Sequence, residues 1–306
     1  MADKEGFYDS SNGKDKVAYY IWLPESGDVK GFVQLVHGMI EHSGRYEHFA
    51  RFLNKNGYGA VMNDHIGHGK TAPAGALGLI AADGGGVMAE DVHKLTEIIK
   101  SEYGNPKIFL LGHSMGSFVA RLYCTRYGAE LSGALFSGTS GGGYLIHTMW
   151  LLTRLTALFK GDEAPGHFIA GLTQKQYNRA HPGTTGREWL SRDPEVWKGD
   201  DPLCRFTFSL GAYKALFKLI LDVNDPSWFR AYPKDLPTFL FSGLEDPVGD
   251  FGKGVLKTYK DLVDAGNANV YIKLYEDGRH EMLNELNKDE VYTEALDFIE
   301  ECFSKA

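Results

Sequence analysis

Short apolar runs alternate with longer segments of helical periodicity along most of the chain. The apolar runs are rich in Val, Leu and Phe, which is typical of strands buried on both faces of a sheet. They predict strands at residues 17–23, 31–37, 58–64, 107–114, 131–139, 237–243 and 269–275. The helical periodicity predicts helices at residues 45–57, 87–104, 115–128, 254–266 and 289–303, several of which end at a glycine.

This alternation predicts an α/β architecture with a mostly parallel central sheet. Parallel strands need crossover connections, and helices of about ten or more residues supply right-handed ones. Between residues 144 and 232 the chain is aromatic and apolar and does not fit this rhythm. We therefore predict a core of residues 1–143 and 233–306 and a mostly helical insertion, the cap, of residues 144–232.

The composition argues against several classes of protein. The chain has 306 residues, a net charge of -8 and a pI near 5.8, whereas a general nucleic-acid binder needs a basic face. Three cysteines are too few and too scattered for a disulfide framework or a zinc site, so reduced thiols are expected. The charged amino-terminal segment lacks the apolar part of a signal peptide, and no apolar run reaches the ~18 residues of a membrane span. We expect a soluble, cytoplasmic protein.

A serine between two glycines is the strongest chemical signal. Gly112, Ser114 and Gly116 form a G-x-S-x-G motif at a predicted strand-to-helix junction. There a tight turn strains the serine backbone, and a Cβ at either glycine position would clash with neighbouring chain. The turn raises the hydroxyl above the carboxyl ends of the strands, at the amino terminus of the next helix, where developing negative charge is favoured. Ser114 is the predicted nucleophile.

A serine nucleophile needs a base, and the base needs an acid. In proteins with this motif both follow the serine, the acid first and the histidine second, each beyond a later strand. His280 is the only histidine in the carboxyl-terminal third and follows the last predicted strand. The loop after the preceding strand offers Glu245, Asp246 and Asp250. Asp246 is preferred because the proline after it fixes a turn.

Two backbone N–H groups are expected to stabilise the oxyanion that the attack creates. One belongs to Met115, directly after the nucleophile, and the other is assigned to Met39, in the turn after an early strand. One such donor contributes about 2.7–4 kcal/mol in the transition state. This chemistry requires no cofactor.

Two histidine-containing loops are candidates for metal sites. His65 and His68 lie in the segment DHIGHG, and His37 and His42 in HGMIEH. Both loops are glycine-containing, and neither has a carboxylate or cysteine set at ligand spacing. We therefore expect them to be structural loops at the rim of the site, and no metal.

Five segments resemble one known family. HGMIEHSGRY, DHIGHGKT, GHSMGS, SGLEDPVG and GRHEM are similar to motifs of the monoacylglycerol lipase and lysophospholipase branch of the α/β-hydrolase superfamily. The resemblance runs from about residue 31 to the carboxyl terminus and is weakest in the cap. It implies an α/β-hydrolase fold with the cap over the site, a triad of Ser114, Asp246 and His280, and oxyanion donors at Met39 and Met115.

The resemblance also implies contacts with the substrate. In monoacylglycerol lipases the Glu and Arg of the HGxxEHSGR segment lie near the bound glycerol head, and they match Glu41 and Arg45. The mammalian enzymes carry a further histidine three residues after the catalytic one. Its counterpart here is Leu283, so selectivity for glycerol is expected to be looser. The alternative is that Glu41 and Arg45 pair with each other and brace their loop.

The prediction for function is a serine esterase that cleaves monoacylglycerol-type lipid esters through an acyl-enzyme. The cap is expected to form an acyl pocket on its inner face, and its outer face is a candidate for peripheral contact with membranes or micelles. A lysophospholipase, a general carboxylesterase and an S33-type aminopeptidase are the alternatives within this chemistry. A non-catalytic binder is the alternative outside it, because a fold does not fix a function.

Overall fold

Eight strands form one sheet, and ten α-helices surround it, in the part of the chain that the computed structural model describes, residues 1–305 with the side chains of residues 1–304. The strands are β1 Lys4–Asp9, β2 Lys16–Trp22, β3 Phe32–Val36, β4 Gly59–Asn63, β5 Ile108–His113, β6 Gly133–Ser137, β7 Thr238–Gly243 and β8 Val270–Tyr275. The helices are α1 Glu47–Lys55, α2 Gly84–Tyr103, α3 Met115–Tyr127, α4 Tyr144–Lys160, α5 His167–Ala180, α6 Pro194–Lys198, α7 Leu210–Val223, α8 Pro226–Ala231, α9 Lys253–Asp264 and α10 Lys288–Lys305.

The sheet has the order β1-β2-β4-β3-β5-β6-β7-β8. The pairs from β4 to β8 are parallel, whereas β1 and β2 run antiparallel to their neighbours. The mostly parallel sheet predicted from the sequence is confirmed. Every residue of β3 to β7 is buried, as expected for strands covered on both faces.

Successive residues of the central strands pack on opposite faces of the sheet. Leu110 belongs to the apolar cluster formed with α2, α3 and α7, whereas Leu111 belongs to the cluster formed with α1 and α10. This side-chain alternation follows from the period of two along a strand. The sheet is therefore held between two helical layers, and the carboxyl ends of β3, β5, β7 and β8 meet at one edge of it.

The chain between β6 and β7 contains α4 to α8. Among them α7 is amphipathic and buries residues such as Tyr213, Phe217 and Val223. It packs against α2, α3 and α4, so its apolar side belongs to the same cluster as the sheet. The cap therefore shares the main apolar core through α7.

The outer helices of the cap expose large apolar side chains. This surface, which we call the cap patch, consists of Tyr144, Leu145, Leu151, Leu155, Leu158, Phe159, Phe168 and Leu172, on α4 and α5. Among the described residues no helix is both long enough and apolar enough to cross a bilayer.

Candidate active site

Ser114 occupies a sharp turn between β5 and α3. Its backbone angles are φ 52° and ψ -121°, a region that residues other than glycine rarely adopt. A Cβ at Gly112 would overlap the carbonyl oxygen of Gly116, and a Cβ at Gly116 would overlap that of Val36. The Ser114 N–H donates to the carbonyl of Ser137 at 2.9 Å, which anchors the turn to β6. Both glycines are thus required for this turn.

The structure brings Ser114, His280 and Asp246 together in a line of hydrogen bonds. His280 Nε2 lies 2.8 Å from Ser114 Oγ, and His280 Nδ1 lies 3.0 Å from each carboxylate oxygen of Asp246. Asp246 is fully buried and also accepts hydrogen bonds of 2.8 Å from the Ser242 hydroxyl and the Val248 N–H. The carboxylate is fixed in position before any substrate binds.

The two buried members of this line influence each other's pKa. Burial by itself lowers the pKa of His280, but the charge and hydrogen bonds of Asp246 outweigh it, and the pKa ends above its ordinary value. Burial likewise raises the pKa of Asp246, but His280, Ser242 and Val248 together leave it below its ordinary value. A charged Asp246 beside a histidine that readily accepts a proton is the arrangement that a serine nucleophile needs.

The other two carboxylates of this loop point elsewhere. The Glu245 side chain is 44% exposed and lies 3.6 Å from Arg279 Nε and 4.0 Å from His181 Nδ1. Asp250 is exposed and adopts a φ of 50° in the turn before α9. Of the three candidates from the sequence, the structure brings only Asp246 to His280.

The turn after β3 lies next to Ser114. A Cβ placed on Gly38 would lie 3.1 Å from the Ser114 Cβ. Among the described residues, neither the Met39 N–H nor the Met115 N–H donates a hydrogen bond. Met115 is the first residue of α3, so its N–H has no partner within the helix. Both amides remain free for the oxygen of a bound ligand.

Neutral histidines support this turn. His68 Nε2 accepts the Ile40 N–H at 3.2 Å, and His37 Nε2 accepts the His65 N–H at 2.9 Å. Burial lowers the pKa of His37, and that of His68 falls to about 3, so both rings are neutral acceptors at ordinary pH. His37 and His68, which belong to the two loops considered as metal sites, therefore hold the turn after β3 in place through these hydrogen bonds.

Glu41 and Arg45 are paired, as the bracing alternative had it. Arg45 Nη1 lies 2.8 Å from a Glu41 oxygen, and its Nη2 lies 2.6 Å from Glu281. Glu41 also accepts the Tyr46 hydroxyl at 2.8 Å and the Gly38 N–H. Burial raises the pKa of Glu41, but Arg45 and nearby histidines bring it down to about 2. Glu41 thus braces the turn from within, while Arg45 also lines the cavity described below.

Leu283 is not part of the site. Its side chain is 3% exposed and packs in the apolar cluster beneath α1 and α10. It does not line the cavity, because the short 3-10 helix Met282–Asn284 turns it inward. Glu281, next to His280, instead belongs to the group of Glu41 and Arg45 because it holds Arg45. It stands in the GRHEM segment, but nothing in the spacing of that segment reveals its partner.

A cavity of about 440 Å³ is lined by residues of the turn after β3, of the cap and of the segment that follows His280. The lining includes the apolar residues Met39, Ile40, Tyr177, Leu190 and Tyr213 and the polar residues Arg45, Asp193, Glu195, Glu281, Asn284 and Lys288. Trp189 also lines it, with its ring centroid 5.2 Å from that of His280. The wall residues of the cap were not singled out in the sequence, since the cap has no motif.

Comparisons with known proteins agree with this geometry. A family model described as Hydrolase_4, serine aminopeptidase S33, matches residues 27–287. A monoacylglycerol lipase of Mycolicibacterium smegmatis is 27% identical over 89% of each chain. The monoglyceride lipase of Rattus norvegicus is 30% identical over 87% of this chain and 80% of its own. The crystal structure of a thermostable carboxyl esterase from Bacillus coagulans in complex with glycerol is 32% identical, covers 99% of both chains and has a TM-score of 0.90.

Proposed function

Because this chain belongs to the Hydrolase_4 (serine aminopeptidase, S33) family and is a carboxylic ester hydrolase, we propose that it cleaves monoacylglycerols by acyl transfer to Ser114. The observation that carries the proposal is the line Ser114–His280–Asp246, with distances of 2.8 and 3.0 Å, near a cavity lined by both apolar and polar residues. Each role below is part of this proposal.

Acylation begins with the hydroxyl of Ser114. Its oxygen attacks the ester carbonyl carbon while its proton passes to His280 Nε2, and Asp246 stabilises the resulting imidazolium. The carbonyl oxygen becomes an oxyanion and accepts hydrogen bonds from the N–H groups of Met39 and Met115. When the tetrahedral intermediate collapses, the ester C–O bond breaks, and His280 gives its proton to the leaving alcohol.

Deacylation repeats the same steps with water. His280 takes a proton from a water molecule, whose oxygen attacks the acyl carbonyl of Ser114. The second tetrahedral intermediate uses the same two N–H groups. Its collapse breaks the bond to Ser114 Oγ, which regains the proton from His280, and the fatty acid leaves.

The cavity fits an ester with one apolar and one polar part. Each CH₂ group buried against the apolar lining residues contributes about 0.8 kcal/mol to binding, which favours an acyl chain of medium or greater length. The polar lining residues offer charged and amide groups to a small hydroxylated leaving group. Two relatives are named monoacylglycerol or monoglyceride lipase, and the solved esterase holds glycerol.

The test of the nucleophile uses Ser114→Ala, with the exposed loop variant Ser26→Ala as its control. We expect Ser114→Ala to fold with the parent's melting temperature, to lose nearly all esterase activity and to resist labelling by a fluorophosphonate. Ser26→Ala should retain activity and labelling. A folded Ser114→Ala variant with a quarter of the parent rate would refute this role.

The test of the substrate compares kcat/KM for compounds with the same acyl chain. We expect monoacylglycerols to be hydrolysed faster than lysophosphatidylcholine or aminoacyl amides. Simple alkyl esters should also be cleaved, because Arg45 is already held by Glu41 and Glu281 and so offers little selectivity for glycerol. A tenfold preference for lysophosphatidylcholine would favour a lysophospholipase instead, and cleavage of amides alone would favour an aminopeptidase.

We also propose that the cap patch contacts the lipid surface in which such substrates reside. Helix α5 carries Phe168 and Leu172 of this patch and also Ala170 and Tyr177 of the cavity wall, so the patch lies next to the route of a lipid. Leu158 and Phe159 are 78% and 90% exposed. Burying such side chains in a membrane interface is favourable. Peripheral contact of this kind is compatible with the cytoplasmic location predicted from the sequence.

Vesicle sedimentation tests this contact. Leu158→Ser and Phe159→Ser together should weaken binding to zwitterionic phospholipid vesicles while leaving hydrolysis of a short water-soluble ester unchanged. Leu286→Ser, which removes an exposed apolar side chain outside the cap, is the matched control. Equal binding of all three proteins would contradict the proposal.

A further inference from the structure

Three potential metal ligands of different types meet beside the cavity. His42 belongs to the loop that follows β3, whereas Asp201 and Cys204 belong to the cap. His42 Nε2 lies 2.8 Å from Asp201 Oδ2, and the ligand atoms of all three residues lie within 4.8 Å of one another. The sequence analysis found no such set because His42 and Asp201 are 159 positions apart.

The backbone around these residues already holds the ligands in place. Asp201 precedes the 3-10 helix Pro202–Cys204, and its Oδ1 accepts the Leu203 N–H at 2.9 Å, which leaves Oδ2 facing His42. Arg187 Nη2 donates to the Cys204 carbonyl at 2.6 Å. Little reorganisation is therefore needed to bring the carboxylate and the thiol to one point.

The donor set matches the preferences of zinc. Zinc binds imidazole nitrogen, thiolate sulfur and carboxylate oxygen at about 2.0–2.3 Å, in tetrahedral sites that often keep one position open. Ligand atoms within 4.8 Å of one another reach these distances after small side-chain rotations. A hard cation such as Mg²⁺ or Ca²⁺ would instead require oxygen ligands throughout.

We propose that His42, Asp201 and Cys204 form a zinc site that links the loop carrying Met39 to the cap and slows hydrolysis when it is occupied. The ion would neutralise one carboxylate and one thiolate. Arg45 lies close to Cys204, but Glu41 and Glu281 already balance its charge. The fourth position is left to water.

Zinc binding removes one proton and moves another. The Cys204 thiol releases its proton when the S–Zn bond forms. His42 Nδ1 accepts the Gly44 N–H at 3.2 Å, so the ring proton is on Nε2 and faces Asp201. When Nε2 coordinates the ion, that proton moves to Nδ1. The hydrogen bond from the Gly44 N–H to Nδ1 is then lost, and water becomes the acceptor of this N–H.

The position of the zinc site explains why bound zinc is expected to slow hydrolysis. Asp201 and Cys204 line the cavity, and Met39, a proposed oxyanion donor, lies three residues before His42. An ion bound to all three fixes the cap against this loop at the wall of the cavity and so restricts the entry of substrate and the exit of fatty acid. We expect zinc to lower kcat/KM for a long-chain monoacylglycerol more than for a short acetate ester.

Binding is tested without reference to activity, by titrating the metal-free protein with Co²⁺ and Zn²⁺. We expect one equivalent of Co²⁺ to give the thiolate charge-transfer band and visible bands of a tetrahedral site, and Zn²⁺ to displace it. Cys204→Ser should abolish the thiolate band. His42→Gln and Asp201→Asn should each weaken affinity about tenfold or more. The controls are His147→Gln and Asp200→Asn, which alter exposed groups outside the set and should leave binding unchanged.

Inhibition is then measured on the same proteins. If the proposal is right, zinc slows the parent and both controls and does not slow the Cys204→Ser protein. The proposal is overturned if no cobalt band forms, or if zinc inhibits the Cys204→Ser protein as strongly as the parent, since the ion would then act elsewhere, for example at His280. Because the cobalt spectrum does not depend on turnover, it decides the site even if the proposed substrate is wrong.

Discussion

Single residues of the site are held by several contacts at once. His280 is hydrogen-bonded to Asp246, and its ring lies tilted against that of Trp189, with centroids 5.2 Å apart. The next residue is tied to the cap, since the Glu281 N–H donates to the Leu190 carbonyl at 2.7 Å. Ser114 keeps an unfavourable backbone conformation because the surrounding turn permits no other. The strain and the rigidity together hold Ser114 and His280 in place without a bound ligand.

The substitution Asp246→Asn tests whether Asp246, rather than Glu245 or Asp250, is the acid that supports His280. An amide cannot stabilise the imidazolium and favours the wrong tautomer of His280, so kcat should fall by about 10⁴-fold. Glu245→Gln and Asp250→Asn should each cost less than about tenfold, because neither group contacts His280. Measured kcat for the three variants checks this, and a larger loss at Asp250 than at Asp246 would reassign the acid.

The pH profile should show a histidine base with a raised pKa. His280 accepts a proton only when it is neutral, so kcat/KM should be low in acid and rise as pH passes through a pKa above the ordinary 6.5. Removing the negative charge in Asp246→Asn should move any residual rising limb to lower pH. A flat profile from about pH 5 to 9, with chemistry limiting, would argue against His280.

Some of these residues were identifiable from the sequence and others were not. Ser114 stands in a motif with a definite local geometry, and His280 was the only histidine in the right part of the chain. Leu283 was assigned by its position relative to that histidine alone, and the structure buries it. Glu281 and Asp201 acquire their partners only through tertiary contacts, which no local spacing records.

At the scale of the element, β1 shows the limit of apolar patterns. The sequence analysis assigned no element to residues 4–9, which are charged and largely exposed. They form a strand because their backbone pairs with β2 in the register Lys4↔Ile21 to Asp9↔Lys16. The strands β3 to β7 were predictable because they are continuous apolar runs, and an edge strand held by backbone pairing gives no such signal.

The turn between β5 and α3 should tolerate no side chain at Gly116. The Cβ of Gly116→Ala meets the backbone carbonyls of Val36 and His37, so β3 and α3 must separate, which we expect to cost more than about 3 kcal/mol. Activity should fall with it, since Met39 and Ser114 move apart. Chemical denaturation and esterase assays measure both effects.

Gly171→Ala is the matched control for that change. Gly171 lies within α5, where an added Cβ meets nothing within 4 Å. Alanine favours the helix by about 0.5–1 kcal/mol relative to glycine, so this variant should be slightly more stable than the parent. Equal stability of Gly116→Ala and Gly171→Ala would show that the close approach of β3 and α3 is not required.

At the scale of the whole molecule, the cap is part of the folding unit. Its helix α7 shares an apolar cluster with α2 and α3, and its loops hold the segment around His280. The sequence predicted the cap as a helical insertion from a break in rhythm. It did not predict that one of its helices completes the core, because the partners of α7 lie far away in the chain.

Deletion of residues 144–232 should therefore unfold the protein. Removing α7 exposes the apolar faces of α2 and α3 to water. We expect the shortened chain to bind an apolar fluorescent dye and to lack a cooperative thermal transition. Leu158→Ser, on the outer face of the cap, should melt like the parent. A shortened chain that melts cooperatively would show that the core folds without α7.

The order of the site along the chain has a consequence for synthesis and damage. The turn that carries Ser114 and the turn after β3 both lie in the first half of the sequence, whereas His280 follows β8, at one edge of the sheet. In the proposed mechanism, a nascent chain or a fragment that ends before β8 carries the serine without its base. We expect such a fragment to be inactive until the segment that contains His280 is present.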